Sequence, residues 1–171
     1  MRKIILNVAV SMDSFIEDAN GAYDWCFMDQ DYGMKDFMNR IDTIFFGRKS
    51  YELVLKTGLG YYAGYKHYVF SKTWADSSTN NFTLVNKDLS TAVANIKEEA
   101  RKDIWLFGGA SLVSSFMNEG LVDELMLAVH PILLGSGKPL FQDLSARTKL
   151  ALTDSKTYDT GLVQLQYDIL K

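Results

Sequence analysis

One cysteine, two histidines and two prolines are all that these 171 residues hold of three residue types that often decide a protein's chemistry or its punctuation. Cys26 has no partner for an intrachain disulfide. His67 and His130 stand too far from it, and from each other, to make a spaced Cys/His metal set. A reducing compartment fits this composition, and the chain is expected to be cytoplasmic. Long apolar runs are lacking as well: Ala128 to Leu134 is interrupted by His130 and Pro131, well short of the ~18 residues of a membrane span. Met1-Arg2-Lys3 before Ile4-Ile5-Leu6 imitates a secretory leader. Asn7 breaks the run, however, and Asp13 and Glu17 occupy the place of a cleavage site, so the segment reads as a strand and no membrane partner is expected. There is no basic surplus either, with 18 Lys and Arg against 21 Asp and Glu and a net charge of -3, which argues against nucleic acid as a partner.

What the chain does have is 47% apolar and 13% aromatic residues, enough for a core in a single domain over residues 1–171. Lys3 to Val10, Thr43 to Phe46, His67 to Phe70 and Ile104 to Phe107 are short apolar or β-branched runs of the kind that form buried strands, with Phe82 to Val85 a weaker fifth. Between them, Leu89, Ala92, Val93, Ile96 and Ala100 follow a helical period after a capping Asp88, and Leu112, Val113, Phe116 and Met117 do so before Gly120. Arg48 to Lys56 and Asp31 to Arg40 are two further helices, the second weakened by Gly33. Glu124 to Leu134 reads as a long strand. Leu150 to Tyr158 and the alternating tail from Val163 form a hairpin around Asp159-Thr160-Gly161. The expected fold is α/β: a mostly parallel central sheet flanked by helices, with a C-terminal antiparallel hairpin.

Three strand ends carry anion-binding chemistry. Ile104 to Phe107 runs through Gly108 and Gly109 into Ala110, Ser111 and Leu112, where unpaired helix N–H groups and glycines suit a pyrophosphate, although a ligand-free tight turn fits as well. Gly47-Arg48-Lys49-Ser50 places two cations at a helix start, where they oppose the helix dipole unless a phosphate lies between them. The alternative is solvated surface side chains. Ser71-Lys72-Thr73 repeats the theme. Strand ends of this kind are where open α/β sheets bind ligands. Gly135-Ser136-Gly137-Lys138 is not a phosphate loop, because Ile132 and Pro139 stand at two of its required positions. Cys26, between Trp25 and Phe27, reads as a packed thiol rather than a nucleophile.

Val10-Ser11-Met12-Asp13-Ser14-Phe15-Ile16, Gly47 to Glu52, Ser71-Lys72-Thr73, Phe107-Gly108-Gly109 and the span from Leu121 to Phe141 occur in an order that resembles the dihydrofolate reductase superfamily. Within it, Asp123-Glu124-Leu125, Pro131 to Gly137 and the terminal hairpin are most similar to the reductase domain of the bifunctional riboflavin-biosynthesis enzyme. The resemblance implies an NADPH-dependent oxidoreductase that transfers hydride to a small heterocyclic substrate. The closest analogy is reduction of 5-amino-6-(5-phosphoribosylamino)uracil. The alternatives are dihydrofolate reductase-type activity on a pterin or folate, or a non-catalytic nucleotide-binding or dimeric module.

By the same resemblance Gly47, Arg48, Lys49, Ser50, Ser71, Lys72 and Thr73 would hold the cofactor phosphates, with Ser71 to Thr73 at the 2'-phosphate. Gly108, Gly109, Ala110, Ser111 and Leu112 would underlie the pyrophosphate and nicotinamide, and Val8, Ala9 and Ile16 would line the nicotinamide pocket. Trp25, Asp31 and Phe107 would face substrate, Asp31 as the catalytic acid, with Asp13 the other acid near the pocket. It further implies a cis Gly108–Gly109 peptide and a homodimer. It departs from folate enzymes at Asp24-Trp25, where they carry Pro-Trp, and from the riboflavin type at Ser14, where a Gly is usual. No H-x-E with P-C-x-x-C zinc signature occurs in the sequence, so the preceding deamination is not expected of it.

Overall fold

The computed structural model describes residues 1–74, 82–99 and 101–171. Its first strand, β1 (Ile4–Ser11), enters as four consecutive buried residues, which requires cover on both faces. The cover comes from the crossovers. After β2 (Phe15–Asp18), α1 (Met34–Arg40) leads into β3 (Ile41–Gly47), and α2 (Arg48–Thr57) and a short turn at Gly60–Tyr62 lead into β4 (Lys66–Phe70). Then come β5 (Thr83–Val85), α3 (Leu89–Glu98), β6 (Asp103–Gly108), α4 (Ala110–Asn118), β7 (Glu124–His130), β8 (Gly137–Pro139) and the hairpin β9 (Lys149–Thr157) and β10 (Val163–Leu170). The eight-stranded sheet runs β5-β4-β3-β6-β1-β7-β10-β9, and β2 pairs with β8 in a small sheet of their own. Strands from β5 to β7 are parallel to their neighbours, while β10 is antiparallel to both β7 and β9. The mostly parallel body with an antiparallel edge is the architecture expected from the sequence.

Side-chain alternation splits the core in two. Ile4, Leu6, Ile104, Leu106 and Leu125 pack with Val93 and Ile96 of α3 and Val113 and Phe116 of α4. On the opposite face Ile5, Ile44, Phe46 and Trp105 pack with Phe37 and Met38 of α1 and Tyr51 and Val54 of α2. Asp88 caps α3 as expected, its carboxylate accepting from the Thr91 N–H at 2.8 Å.

Some boundaries move for local reasons. The expected strand from Glu124 to Leu134 stops at His130, because Pro131 has no N–H to extend the ladder and the Ile132 N–H turns back to the His130 carbonyl at 2.8 Å. The helix expected from Asp31 starts only at Met34, since Gly33 takes a left-handed φ of 81°. The helix begun at Leu112 in the sequence reading starts two residues earlier, directly after Gly109. The β2–β8 pair went unread, as neither strand alternates apolar and polar residues. Ala100, expected in α3, lies outside the described residues.

The strand N-termini form a charged floor. Arg40 donates to both oxygens of the buried Glu124 carboxylate, at 2.7 Å each, and to Asp103 at 2.9 Å. Gln166 and Lys3 complete the Glu124 shell at 2.7 and 3.3 Å. One interior group stays neutral. His67 is 3% exposed with Nε2 donating to the Tyr62 carbonyl at 2.9 Å, and burial holds its pKa below the ordinary value. A histidine of lowered folded pKa binds its proton more readily when unfolded, so its contribution is complete above about pH 6.5 and is lost as pH falls. Urea denaturation from pH 7.5 to 5 is therefore expected to show falling stability, with a slope from this one proton of up to about 1.4 kcal/mol per pH unit. His67→Gln should flatten it.

Candidate functional site

The C-terminal ends of β3, β4 and β6 open into a cleft of about 600 Å³. Two of its walls are helix starts. Gly47 precedes α2 and Gly109 precedes α4, and the two junctions meet backbone to backbone: a Cβ on Gly47 would lie 3.4 Å from the Gly108 carbonyl oxygen and the Gly109 nitrogen. Gly108 takes a φ of 105°, and the Gly108–Gly109 peptide is cis. Close backbone approach with helix N–H groups facing the opening is the geometry that accepts an anion.

Gly47, Arg48 and Lys49 line the cleft from β3 and α2, Ser71, Lys72 and Thr73 from the end of β4, and Gly109, Ala110, Ser111 and Leu112 from the start of α4. The Ser71 hydroxyl accepts from the Thr73 and Trp74 N–H groups, folding that turn, and Arg48 reaches Thr73 Oγ1 at 3.4 Å. Ser50 lies behind the wall, its hydroxyl 3.4 Å from where a Cβ on Gly109 would stand, and Gly108 faces Val113. Val8 and Ile16 pack on the α3–α4 core, and Ala9 sits on β1 opposite Ala128. These five are not in the cleft lining. Reasoning from sequence missed Lys87, Lys138 and Gln142, all of which line it. Lys138 was read in the rejected phosphate-loop pattern and in the Leu121 to Phe141 block but was given no site role, and β8 brings it in. The lining thus holds five cations, Arg48, Lys49, Lys72, Lys87 and Lys138, and among the described residues no carboxylate. Arg48 is partly answered by Glu52 at 3.4 Å and Lys138 by an ion pair with Glu17.

The residues expected at the substrate side fall into two groups. Phe107 joins an aromatic cluster with Phe46, Trp105 and Tyr62, at centroid distances of 4.9, 5.0 and 5.9 Å. Trp25 stands edge-on to His130 at 5.3 Å, beside Phe27 at 5.1 Å from the same imidazole. His130 Nε2 accepts the Phe27 backbone N–H at 3.1 Å while Nδ1 donates to the Ala128 carbonyl at 3.0 Å, and the ring clips the 24–32 span to the end of β7. Asp31 is exposed, and its Oδ1 accepts from the Met34 and Lys35 N–H groups at 2.7 and 3.2 Å, capping α1. Asp13 is held by the Ser11 hydroxyl at 2.7 Å and by the Leu134 and Gly135 N–H groups at 3.1 and 2.8 Å. The Ser11 bond, with those amides, keeps its pKa below the ordinary carboxylate value against a desolvation that raises it. Burial, helped by Asp24, pushes the Cys26 thiol up to about 11, which leaves it inert.

The sequence matches the family described as RibD C-terminal domain over residues 2–164. This chain is a RibD C-terminal domain family member. It is 43% identical to the uncharacterized protein YyaP of Bacillus subtilis (strain 168), over 97% of this chain and 94% of that protein. It shares 26% identity and a TM-score of 0.88 with the crystal structure of a Shewanella sp. PV-4 protein provisionally named for riboflavin biosynthesis, with all of both chains covered. At 15% identity and a TM-score of 0.76, its fold also matches the Thermotoga maritima diaminohydroxyphosphoribosylaminopyrimidine deaminase/5-amino-6-(5-phosphoribosylamino)uracil reductase. There it covers 99% of this chain and 57% of that longer one. The RibD-type reductase fold accounts for the β1-centred sheet and the terminal hairpin together. Among the described residues, no helix is long and apolar enough to cross a membrane.

Proposed function

We propose that the chain is an NADPH-dependent oxidoreductase that reduces a small heterocyclic substrate, with reduction of an aminouracil its nearest analogy. The observation that carries this reading is the cleft itself: five cations without a carboxylate, set around two glycine junctions whose backbones meet, suit a dinucleotide bearing several phosphates. NADPH, when bound, supplies the hydride. The protein's part is to hold the two reactants in register and to exclude water. Arg48 and Lys49, with the N–H groups of α2 and α4, would take the pyrophosphate, and Lys72 between the hydroxyls of Ser71 and Thr73 would take the 2'-phosphate. Calorimetric titration tests the reading, and no NADPH binding at millimolar concentration would overturn it.

Cofactor choice follows from the same cations. One charge-assisted contact to the extra phosphate is worth roughly 1.5 to 3 kcal/mol, so NADPH is expected to bind about tenfold or more tightly than NADH. Lys72→Ala should erase most of that preference and leave NADH affinity nearly unchanged. Equal weakening of both cofactors would remove Lys72 from the 2'-phosphate.

Asp31 is the acid we assign to the substrate side, as anchor or proton source. Asn caps a helix as well as Asp does, so Asp31→Asn keeps the bonds to α1 and deletes only the charge. Turnover is expected to fall at least tenfold with an unchanged melting temperature. Full turnover from pH 5 to 9 would pass the role to bound water, because Asp13 is already committed to the Leu134–Gly135 amides. We further infer a cytoplasmic homodimer that binds neither nucleic acid nor membrane. Exposed Leu150, Leu152 and Leu170 on the closing hairpin support the association. A monomer in solution scattering at micromolar concentration would contradict it.

A further inference from the structure

Four of the five cations in the cleft come from α2, the end of β4 and the turn before α3. The fifth, Lys138, arrives from the other side. It stands on β8 directly across from Glu17 of β2, and the two side chains form an ion pair over 121 residues of sequence. Its place along the cleft follows from the segment after it. The Ser114 hydroxyl donates to the Gln142 carbonyl at 2.6 Å and the Asn118 amide to the Asp143 carbonyl at 3.0 Å, so residues 142 and 143 run beside α4 toward its C-terminus. Lys138, just before them, therefore lies toward the head of α4, with Ser111 in the same lining. The strand order β5-β4-β3-β6-β1 puts this end of the cleft beside β1 and the Ser71 to Thr73 end beside β5. A dinucleotide with its 2'-phosphate at Lys72 thus brings its nicotinamide half, and the phosphate nearest to it, to Lys138.

Glu17 is not in the lining, yet its carboxylate holds a cation that faces an anion site. The pair contributes little to the fold, because the Lys138 and Glu17 side chains are 44% and 32% exposed and pairs of that kind are screened by water and salt. Backbone contacts hold β8 instead. Gly137 lies against the Glu17 carbonyl, where a Cβ would stand 2.1 Å from the oxygen, and the Leu140 N–H donates to the Ser14 carbonyl at 2.9 Å. An ammonium on a flexible stem at such a place can turn from carboxylate to phosphate while both strands stay where they are.

Resting on the NADPH reading, we propose that Lys138 binds the nicotinamide-side phosphate of the dinucleotide and that Glu17 competes with this phosphate for the same ammonium. Lys138 is then blind to the 2'-phosphate that Lys72 reads. The test is calorimetric titration of the full chain with NADPH, NADH and adenosine 2',5'-bisphosphate, which lacks the nicotinamide half and its phosphate. Lys138→Met is expected to weaken NADPH and NADH alike by about tenfold, the scale of one charge-assisted contact, and to leave the bisphosphate unchanged. Glu17→Gln should tighten both dinucleotides by about threefold, the smaller effect of a part-exposed charge, at an unchanged melting temperature. In the double variant that gain should vanish, since Glu17 acts only through Lys138. Undiminished affinity in Lys138→Met, a loss confined to NADPH, an equal loss for the bisphosphate, or a Glu17→Gln gain that survives without Lys138 overturns the inference. So does a Glu17→Gln variant that binds no more tightly than the parent, and this arm decides the matter should Lys138→Met fail to fold. Failure of the parent chain to bind NADPH strikes the reductase reading instead.

Discussion

Arg40→Met is expected to cost the fold about 3 kcal/mol or more in urea denaturation. The reason is the carboxylate it abandons. Glu124 has a side chain 1% exposed, and Arg40 supplies both of its shortest charged contacts, so removing the guanidinium leaves a buried anion with only Lys3 and Gln166. Breaking one partner of a buried pair typically costs about 3–5 kcal/mol, whereas replacing both by apolar groups is often close to neutral. The double variant Arg40→Met/Glu124→Met should therefore recover much of the loss. Strict additivity of the two single changes would show that the pair does not act as a unit.

Gly137→Ala should be nearly as damaging and should reach the cleft. A Cβ at this position would stand 2.1 Å from the Glu17 carbonyl oxygen, backbone against side chain with nothing flexible to give way, and φ is 149°. The β2–β8 pairing has to separate to accommodate it. We expect a loss of about 2–3 kcal/mol, the scale of strain that a conformation reserved for glycine imposes on another residue. Because Lys138 is the next residue and lines the cleft, NADPH affinity should fall together with stability. A variant as stable as the parent would show that this pairing is dispensable. A variant destabilised with intact cofactor affinity would separate β8 from the site.

Strand alternation and helical period were sufficient to locate the parallel body, because β1, β3, β4 and β6 are largely buried and their apolar runs outweigh the few polar residues among them, such as Asn7, Thr43 and His67. The hairpin was equally plain, with polar and apolar residues alternating in β10 around Gly161. What escaped was set by contacts distant in sequence. β2 and β8 hold together through backbone bonds and one ion pair across 121 residues, which no local pattern encodes. The cleft was legible to the extent that it is built from strand-to-helix junctions, whereas Lys87 entered it from the turn before α3 and Lys138 from β8, whose placements only the assembled fold determines. On the substrate side the types of residue were visible. Their grouping was not, because His130 gathers Trp25 and Phe27 from a stretch with no periodicity.

The Asp13 carboxylate ties the chain after β7 to the end of β1 at both Leu134 and Gly135, and Ser11 fixes the carboxylate in turn. That connection is consequently a fixture of the central strand, unsuited to act as a gate. The 24–32 span is held in its turn, by the Phe27 amide and the Trp25 and Phe27 rings on His130 and by Tyr32 on Tyr158 and Thr160, with Asp31 securing the head of α1.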